Sequence, residues 1–176
     1  MNTLSCPIPA NINPLAINGF MFSIEKIPEV SFFCQEVNLP DISLQSPEFS
    51  TPLSKVILPG ETLEFGTLNI QFLVDEKMAN YKSIHSWLIG LGYPEDHEQY
   101  KLLLSEDQRP RVGELSKNYS DATLSVLGSN NKPTQTITFF DVVPIQLDSM
   151  NFQSNVDDIQ YIAGNATFRY THYKFN

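Results

Sequence analysis

The feature that most constrains the fold is the alternation of apolar and polar residues in short segments. In the clearest case Leu68, Ile70 and Phe72 alternate with Asn69 and Gln71. Because successive side chains of a strand point to opposite faces, this period of two predicts a strand with one buried face. Similar segments recur along the chain with turn residues between them, which favours antiparallel pairing. The pattern therefore predicts a mainly β protein.

The predicted strands cover most of the chain. The first two are expected to pair as a hairpin around the break at Pro28 and Glu29, and residues 42–45 extend the second strand past Pro40. Ser129 to Pro133 form the turn between two later strands. The predicted strands are Phe20–Glu25, Val30–Leu39, Leu63–Val74, Asp121–Leu127, Thr134–Val143 and a closing segment from Ile159 to Phe175.

One segment has the period of an amphipathic helix. Asp75 is its predicted N-cap, and Gly90, Gly92 and Pro94 end it. With several strands and one helix, the expected fold is an antiparallel β-sandwich or barrel with one flanking α-helix. Residues 1–176 form a single domain in this interpretation. The apolar residues of the helix recur at three- and four-residue spacing: Met78, Tyr81, Ile84, Trp87, Leu88 and Leu91.

Three further segments are irregular in sequence. Residues 1–18 are rich in Asn and Pro and are expected to form an extended N-terminal arm. Residues 95–119 are polar, with a possible short buried segment at Leu102 to Leu104. Residues 45–57 contain two prolines and three serines, which predicts a long loop, and Leu58-Pro59-Gly60 predicts a turn after it.

The predicted loop is unusual because it also contains Phe49, Leu53, Val56 and Ile57. Apolar side chains in a long loop must cover something. Either they contact a neighbouring subunit, or they fold back over the core of their own domain. We favour the inter-subunit contact and keep the second interpretation as the alternative.

The charge of the chain restricts its partners. It carries 20 acidic and 11 basic residues, for a net charge of −9. An acidic surface repels phosphate at long range, so tight binding of nucleic acid or of an anionic membrane surface is not expected. No run of 18 apolar residues and no positively charged leader is present, so we expect no membrane partner and synthesis in the cytoplasm.

Nothing in the sequence predicts a catalytic or cofactor site. The motifs of serine hydrolases, P-loop proteins and dinucleotide-binding proteins are missing. His85, His97 and His172 lack the spacing of a zinc site, and surface or strand positions are expected for them. Cys6 and Cys34 do not form a disulfide framework, and Cys34 is expected to be a buried thiol. We therefore expect no enzyme, no cofactor and no metal.

Two other classes of function were weighed. A monomeric β-sandwich binding module would present exposed aromatic residues on one face, and Tyr93, Tyr100 and Tyr119 are the best candidates. An enzyme would use the carboxylates of the segment 95–98. Adjacent carboxylates in a sequence are poor acid–base pairs, so this possibility is the weaker one.

Three local features, in their order, resemble the tail-tube proteins of contractile-tailed bacteriophages. The opening strand Phe20–Glu25 is followed by Phe32-Phe33-Cys34-Gln35-Glu36-Val37-Asn38-Leu39-Pro40. Leu58-Pro59-Gly60 precedes a strand of the type Leu68-Asn69-Ile70, and the helix ends in Trp87-Leu88. The resemblance extends over residues 18–175.

This resemblance implies a structural virion protein. Members of such a family form hexameric rings whose strands line a common barrel, and the rings stack into a tube through which the genome leaves. The implied partners are further copies of the chain and other tail proteins such as sheath, baseplate or terminator, while DNA passes through the lumen without specific binding. A specialised ring, either baseplate initiator or head-proximal terminator, is the alternative position. The acidic charge fits a lumen that must not hold DNA, and the acidic residues that line it are expected on strand faces turned away from the core.

Overall fold

The computed structural model describes residues 13–50, 53–92, 98, 101, 118–155 and 160–176. Two helices lie among them, α1 (Pro28–Phe33) and α2 (Ala79–Gly92). The strands are β1 (Phe20–Ile24), β2 (Cys34–Val37), β3 (Ile42–Leu44), β4 (Glu48–Ser50), β5 (Lys55–Ile57), β6 (Leu63–Phe65), β7 (Leu68–Leu73), β8 (Ser120–Leu127), β9 (Pro133–Leu147), β10 (Ala163–Arg169) and β11 (His172–Phe175).

Seven of these strands form one continuous antiparallel arrangement in the order β1-β8-β9-β10-β7-β2, with β11 also paired to β9. The first half of β9 pairs with β8 and β11, while its second half pairs with β10. Strand β9 therefore belongs to two sheets. The first sheet contains β1, β8 and β11, and the second sheet contains β10, β7 and β2. This confirms a mainly antiparallel β fold.

The change of sheet occurs at Asp141, whose φ of 56° is left-handed. β10 ends at Arg169, which pairs with Val143, and β11 begins at His172, which pairs with Phe140. The gap between these two strands lies at the same level as Asp141. Both strands therefore turn together. Such irregularities are how strands pass from one sheet of a β-sandwich to the other.

The core lies between the inward faces of the two sheets and is closed on one flank by α2. Ile84 and Trp87 of this helix are 0% and 1% exposed. The Trp87 indole donates to the Asn118 carbonyl oxygen at 3.1 Å, so its polar group is satisfied inside the protein. The strand residues of the core are the inward members of the alternating patterns: Phe22, Ile24, Leu68, Ile70, Phe72, Ala122, Leu124, Ile137, Phe139, Val142, Ala166 and Phe168.

The start of α2 differs from the prediction by three residues. The helix begins at Ala79, after Met78 with a left-handed φ of 56°. The carboxylate of Asp75 accepts the Asn80 N–H at 3.2 Å, and the Asn80 amide donates to the Leu73 carbonyl oxygen at 2.7 Å. Buried Asn80 thus ties the end of β7 to the helix, and the residues between them form a turn.

The predicted hairpin of the first two strands is wrong. The predicted break at Pro28 and Glu29 and the first four residues of the predicted second strand form α1, with a proline at its first turn and Val30 buried. Strand β1 pairs with β8, and β2 pairs with β7, so neither pairs with the other. Local alternation identifies β1 and β2 as extended, but the strands with which they pair are more than 30 residues away in sequence.

Other boundaries also shift. Residues 42–44 pair with β6 and do not extend β2. The predicted strand from Leu63 to Val74 is divided at Gly66 and Thr67 into β6 and β7. Strand β9 continues through Pro144, which is buried and lies opposite Phe168 at an irregularity of the ladder. The missing N–H of proline is tolerated at such a position.

Several predictions fall on residues outside the described ranges: most of the N-terminal arm, the buried segment Leu102–Leu104, His97, and the aromatic candidates Tyr93 and Tyr100. The described end of the arm, residues 13–18, is exposed. Cys34 packs against the core and its thiol donates to the Glu36 carbonyl oxygen at 3.6 Å.

Burial raises the pKa of Cys34 from 9.0 to about 11, and the hydrogen bond to Glu36 opposes the shift. As the pH rises, the Cys34 thiol of the unfolded chain ionises before that of the folded chain. The contribution of the folded, neutral thiol to the free energy of unfolding is therefore complete below pH 9 and is lost as the pH rises to about 11. In a Cys6→Ser chain we expect alkylation of Cys34 by iodoacetamide to rise with a midpoint near pH 11. Cys34 is half-buried and not fully buried as expected, and a midpoint near 9 in the folded protein would contradict even this partial burial.

Adjacent residues of α2 test the core assignment. Replacing Ile84 by Ala removes a fully buried side chain and should lower the free energy of unfolding by about 2–5 kcal/mol. The exposed neighbour His85 is the control, and His85→Ala should change it by less than about 0.5 kcal/mol. Urea denaturation of dilute protein measures both. Equal effects would show that α2 packs by another face.

Candidate assembly interface

Residues 42–50 and 53–65 form the two arms of a long hairpin, and we use this name for them throughout. Its inner half is the pair β3–β6 and its outer half is the pair β4–β5. Between the two halves, Gln45 N–H donates to the Thr62 carbonyl oxygen at 3.3 Å and Leu58 N–H donates to the Pro47 carbonyl oxygen at 3.2 Å. The predicted loop 45–57 is therefore largely an ordered two-stranded extension.

The Leu58-Pro59-Gly60 motif lies between β5 and β6, in the second arm of the long hairpin, and does not reverse the direction of the chain. A Cβ atom at position 60 would lie 1.6 Å from the Gln45 carbonyl oxygen, so only glycine fits there. Ser46 Oγ donates to the Leu58 carbonyl oxygen at 3.0 Å across the same region. The missing side chain of Gly60 thus allows the two arms of the long hairpin to approach closely between the β3–β6 pair and the β4–β5 pair.

The four predicted interface residues lie together in the outer half of the long hairpin. Phe49 and Val56 are directly opposite each other and are 65% and 43% exposed. Leu53, near the tip, is 99% exposed, and Ile57 is 71% exposed. None of them belongs to the hydrophobic core of the described residues. In a single copy of the chain these side chains face solvent, which is unusual for a cluster of large apolar residues.

The base of the long hairpin is held by an aromatic cluster. The Phe65 ring lies 6.0 Å from Tyr170 and 5.8 Å from Tyr173, both in edge-on geometry. Both tyrosines also contact Phe139 of the core, at 5.2 and 5.5 Å. Such edge-to-face pairs are favourable arrangements of aromatic rings. Phe65 therefore fixes the long hairpin to the place where the two sheets meet.

Polar contacts fix the same base. The Asn38 side chain donates to the Thr67 carbonyl oxygen at 3.0 Å and accepts the Asn69 N–H at 2.6 Å. The Tyr173 hydroxyl donates to the Pro40 carbonyl oxygen at 3.4 Å. Burial, with smaller contributions from Tyr173 and Asp41, raises the pKa of Tyr170 to about 12. The entry and exit of the hairpin are thus joined to the body on both sides.

Within the described residues, strands β1, β2 and β11 each pair along one edge. The first sheet therefore has free edges at β1 and β11. Each free edge presents backbone N–H and C=O groups that a further strand can pair with. Met21 and Phe175, on these two edge strands, are 62% and 58% exposed. The edges are therefore suited to pairing with a second copy of the chain.

The outward faces of the sheets are polar and carry few charges. The seven strands contain three carboxylates, Glu36, Asp121 and Asp141, and two cations, Arg169 and Lys174. Carboxylates are therefore few on the strands of the two sheets, and the expectation that acidic residues line a lumen stays a prediction. The outward positions hold mainly hydroxyl and amide side chains: Ser23, Asn69, Gln71, Thr123, Ser125, Thr136, Thr138, Asn165 and Thr167.

No arrangement for catalysis is seen in the described part of the chain. His85 is exposed on α2, and His172 stacks on Phe140 at 4.7 Å. Among the described residues no group of three or more His, Cys, Asp or Glu side chains could hold a metal ion. Tyr119 is 37% exposed, and it is the described member of the aromatic set considered for a binding module. No helix in the described ranges is long and apolar enough to cross a membrane.

Comparison with known families is decisive for the identity of this fold. The model of a family described as phage tail tube protein matches residues 5–176. The chain belongs to the phage tail tube protein family. No curated protein sequence matches the chain. The resemblance in the order of strands, Leu-Pro-Gly motif and Trp-bearing helix is thereby confirmed for this tail tube protein.

Solved structures share its fold. A chain of the anti-feeding prophage baseplate has a TM-score of 0.63 at 13% identity, over 94% of this chain and 97% of that one. A chain of its tube-terminating cap has 0.60 at 11%, over 99% of both. A chain of the sheath–tube complex of an extracellular contractile injection system has 0.57 at 18%, over 94% and 93%. At these identities the likeness concerns the fold alone.

Two residues that position the long hairpin are not indicated as such by the sequence pattern. The pattern places Phe65 within a continuous strand and Asn38 near the end of another. The sequence signal for a break after Phe65 is the glycine at position 66, because glycine inside a strand pattern often marks an irregularity. In the structure a Cβ atom at this position would lie 2.0 Å from the Asp41 carboxylate. For Asn38 no local pattern indicates the bonds to Thr67 and Asn69.

Removing the ring of Phe65 tests whether it holds the hairpin base. In Phe65→Ala we expect the Gly66 amide, which donates to the Asp41 carbonyl oxygen at 3.0 Å, to exchange with deuterium at least tenfold faster. Amides of β8 should be unchanged. Phe49→Ala, in the outer half, is the matched control and should leave Gly66 unaffected. Uniformly faster exchange would indicate a loss of global stability instead.

Proposed function

We propose that this chain is a structural virion protein of the phage tail. In this proposal, six copies form a ring and the rings stack into the tail tube, which conducts the genome during ejection. The observation that carries the proposal is the long hairpin with its exposed apolar outer half. The free edges of the first sheet support the lateral contacts, and membership of the tail tube family supports the assembly as a whole.

The lateral and axial contacts use different parts of the molecule. Pairing between the edge strands β1 and β11 of neighbouring copies would close the ring by main-chain hydrogen bonds. The long hairpin leaves the body at its base and would reach a copy in the next ring. Burial of Phe49, Leu53, Val56 and Ile57 there would remove their apolar surface from water, at about 25 cal/mol for each Å².

The low charge of the sheet faces suits a passage for DNA. A surface with few cations offers phosphate few attractive contacts, so the DNA slides without specific binding. Hydroxyl and amide groups keep such a wall wetted. The proposed partners beyond further copies are the sheath, the baseplate and a terminator, and the proposed location is the virion tail after synthesis in the host cytoplasm.

A specialised ring is the second candidate. The baseplate and cap chains have slightly higher TM-scores, 0.63 and 0.60, than the chain of the sheath–tube complex, with 0.57. Electron microscopy of the purified protein at high concentration separates the two. Long tubes with sixfold symmetry support the repeating tube subunit, and single or paired rings support the specialised position. Monomers under all conditions would favour a binding module.

Replacing Leu53 and Val56 together by Asp tests the role of the long hairpin. Buried in an interface, the two carboxylates should block assembly by at least tenfold at equal concentration, while circular dichroism of the subunit stays unchanged. Leu53→Met with Val56→Ile is the control that keeps the surface apolar and should assemble normally. Unimpaired tubes from the Asp variant would refute the contact, and an unfolded subunit would place the hairpin in the core.

A further inference from the structure

The two edge strands of the first sheet run in opposite directions. Strand β1 pairs antiparallel with β8, β8 with β9, and β9 with β11, so β1 and β11 are antiparallel to each other across the sheet. A second copy that lies beside the first in the same orientation therefore brings its β1 antiparallel to β11. The sheet can then continue between copies with the same hydrogen-bond pattern that it has within one copy.

Strand β11 presents a basic edge. Its residues His172 and Lys174 project from the face of the first sheet that is turned away from the core. The His172 ring stacks on Phe140 at 4.7 Å between ring centroids, and Lys174 Nζ lies 5.4 Å from the centroid of the same ring. The other two residues of β11 are a tyrosine and a phenylalanine, so the strand holds no carboxylate.

The opposite edge of the sheet is acidic. Strand β1 has no charged side chain, and the exposed residue Glu25 follows it directly. The Glu25 N–H donates to the Asp121 carbonyl oxygen at 3.0 Å, so the β1–β8 ladder continues through this residue. The ammonium group of the next residue, Lys26, lies 4.9 Å from the centroid of the buried Trp87 ring. The lysine thus points to the core side, and Glu25 sets the charge of the outward face at this edge.

Glu25 lies beside a like charge within its own copy. Ile24 pairs with Ala122, so Glu25 and Asp121 come next on their strands, and both project on the outward face. Side chains of like charge on neighbouring strands destabilise the pairing. A basic side chain from the edge of a second copy would lower this repulsion, which gives the acidic edge a physical reason to select a basic partner.

Burial restricts the register of a contact between β11 of one copy and β1 of another. A shift by one residue would turn buried side chains outward, so the outward residues of β11 must match the outward residues of β1. If all of β11 is paired within residues 20–25, two such registers remain. In one register His172 lies opposite Glu25, and in the other it lies opposite Ser23 and diagonal to Glu25. Both arrangements bring the imidazole within reach of the carboxylate.

The same two registers cover an exposed aromatic ring. Phe175 is on the core-side face of β11, because it pairs with buried Ile137, yet it is 58% exposed at the edge. In the two registers it lies opposite Phe22 or Phe20 of the neighbouring copy. Aromatic cross-strand pairs of this kind stabilise a sheet. The contact thus combines main-chain pairing, opposite charges and burial of an aromatic side chain.

Among the described strands the remaining free edge fits β11 less well. Strand β2 also carries a carboxylate, Glu36, but its pairing with β7 shifts between Cys34 and Glu36. Such irregularities are one means by which proteins make an edge unsuitable for a further strand. Pairing of β11 with a second β11 would place basic side chains next to each other, which is unfavourable. The β1 edge is therefore the partner that charge and regular geometry both favour.

We propose that β11 of one copy pairs antiparallel with β1 of the next copy in the ring, and that basic side chains of β11 contact the Glu25 carboxylate across this pairing. The proposal rests on the proposed function and adds the direction, the registers and the charges of the lateral contact. His172 is the principal partner of Glu25, because both registers place it nearby, and Lys174 adds its charge to the same edge. A closed ring repeats this one contact, so each copy uses both of its edges.

Exchange of the two side chains tests the contact. His172→Glu and Glu25→Lys should each reduce the yield of rings and tubes in the electron microscope at least tenfold at equal protein concentration, because each places like charges together. The double variant should restore at least half of the normal yield. His85→Glu is the matched control, and combined with Glu25→Lys it should restore none, because His85 is exposed on α2. Equal restoration by the two glutamates would mean that net charge alone governs assembly, which would overturn the proposal.

A zero-length cross-link measures the contact without disrupting it. His172→Lys keeps a basic side chain at the edge, and a water-soluble carbodiimide joins its amine to a neighbouring carboxylate as an amide, with loss of water. Unlabelled and isotope-labelled protein are mixed before assembly. We expect linked peptides that contain position 172 of one copy and Glu25 of another. His85→Lys, treated in the same way, should give at most one tenth as much product with Glu25.

The outcomes separate this contact from the proposed function. Tubes without a link between position 172 and Glu25, or with a link confined to single copies, would overturn the contact and leave the tube function standing. A link from position 172 to another carboxylate in its place would show that a different segment occupies the β11 edge, which also overturns the proposal. If the parent protein forms neither rings nor tubes at any concentration, both proposals fail.

Discussion

The rest of the structure depends on strand β9, whose fifteen residues pair with β8, β11 and β10. Because β9 belongs to both sheets, the backbone hydrogen bonds along it fix the orientation of one sheet relative to the other. The left-handed residue Asp141 and the gap after Arg169 let both neighbouring strands turn at the same level. The aromatic cluster of Phe139, Tyr170 and Tyr173 lies at that turn, and the long hairpin is attached to it through Phe65.

Much of the fold follows from local patterns, and the exceptions have physical causes. Alternation identifies Leu68, Ile70 and Phe72 correctly because each inward side chain is buried in a sheet with one solvent face. It fails between Val30 and Phe33, where a proline at the first helical turn and contact with the core outweigh strand spacing. Strand partners were mistaken because pairing depends on distant residues. For the candidate site, apolar residues in a polar segment drew attention to side chains that are exposed in the structure, and their inter-subunit contact stays a prediction. The hydrogen bonds of Asn38 depend on residues distant in sequence and had no local signal.

The distribution of charge is as informative as its sum. The chain is strongly acidic, yet the seven strands of the two sheets hold three carboxylates and two cations. The inner half of the long hairpin and its flanks carry Asp41, Glu61 and Glu64, while the outer half has one internal ion pair. Charge is thus sparse on the described surfaces that the proposed assembly would bury or use as a passage. Net charge alone would not reveal this separation.

The exposure of the long hairpin has a consequence for the energetics of polymerisation. Leu53 is almost wholly hydrated in the isolated chain, so its transfer free energy is available when copies associate and contributes nothing to the fold of one copy. Subunit stability and polymer stability are therefore set by different side chains and can vary independently. In the proposed assembly the chain would have a critical concentration, below which the subunits stay folded but unassembled, and substitutions in the hairpin would shift that concentration without altering the fold.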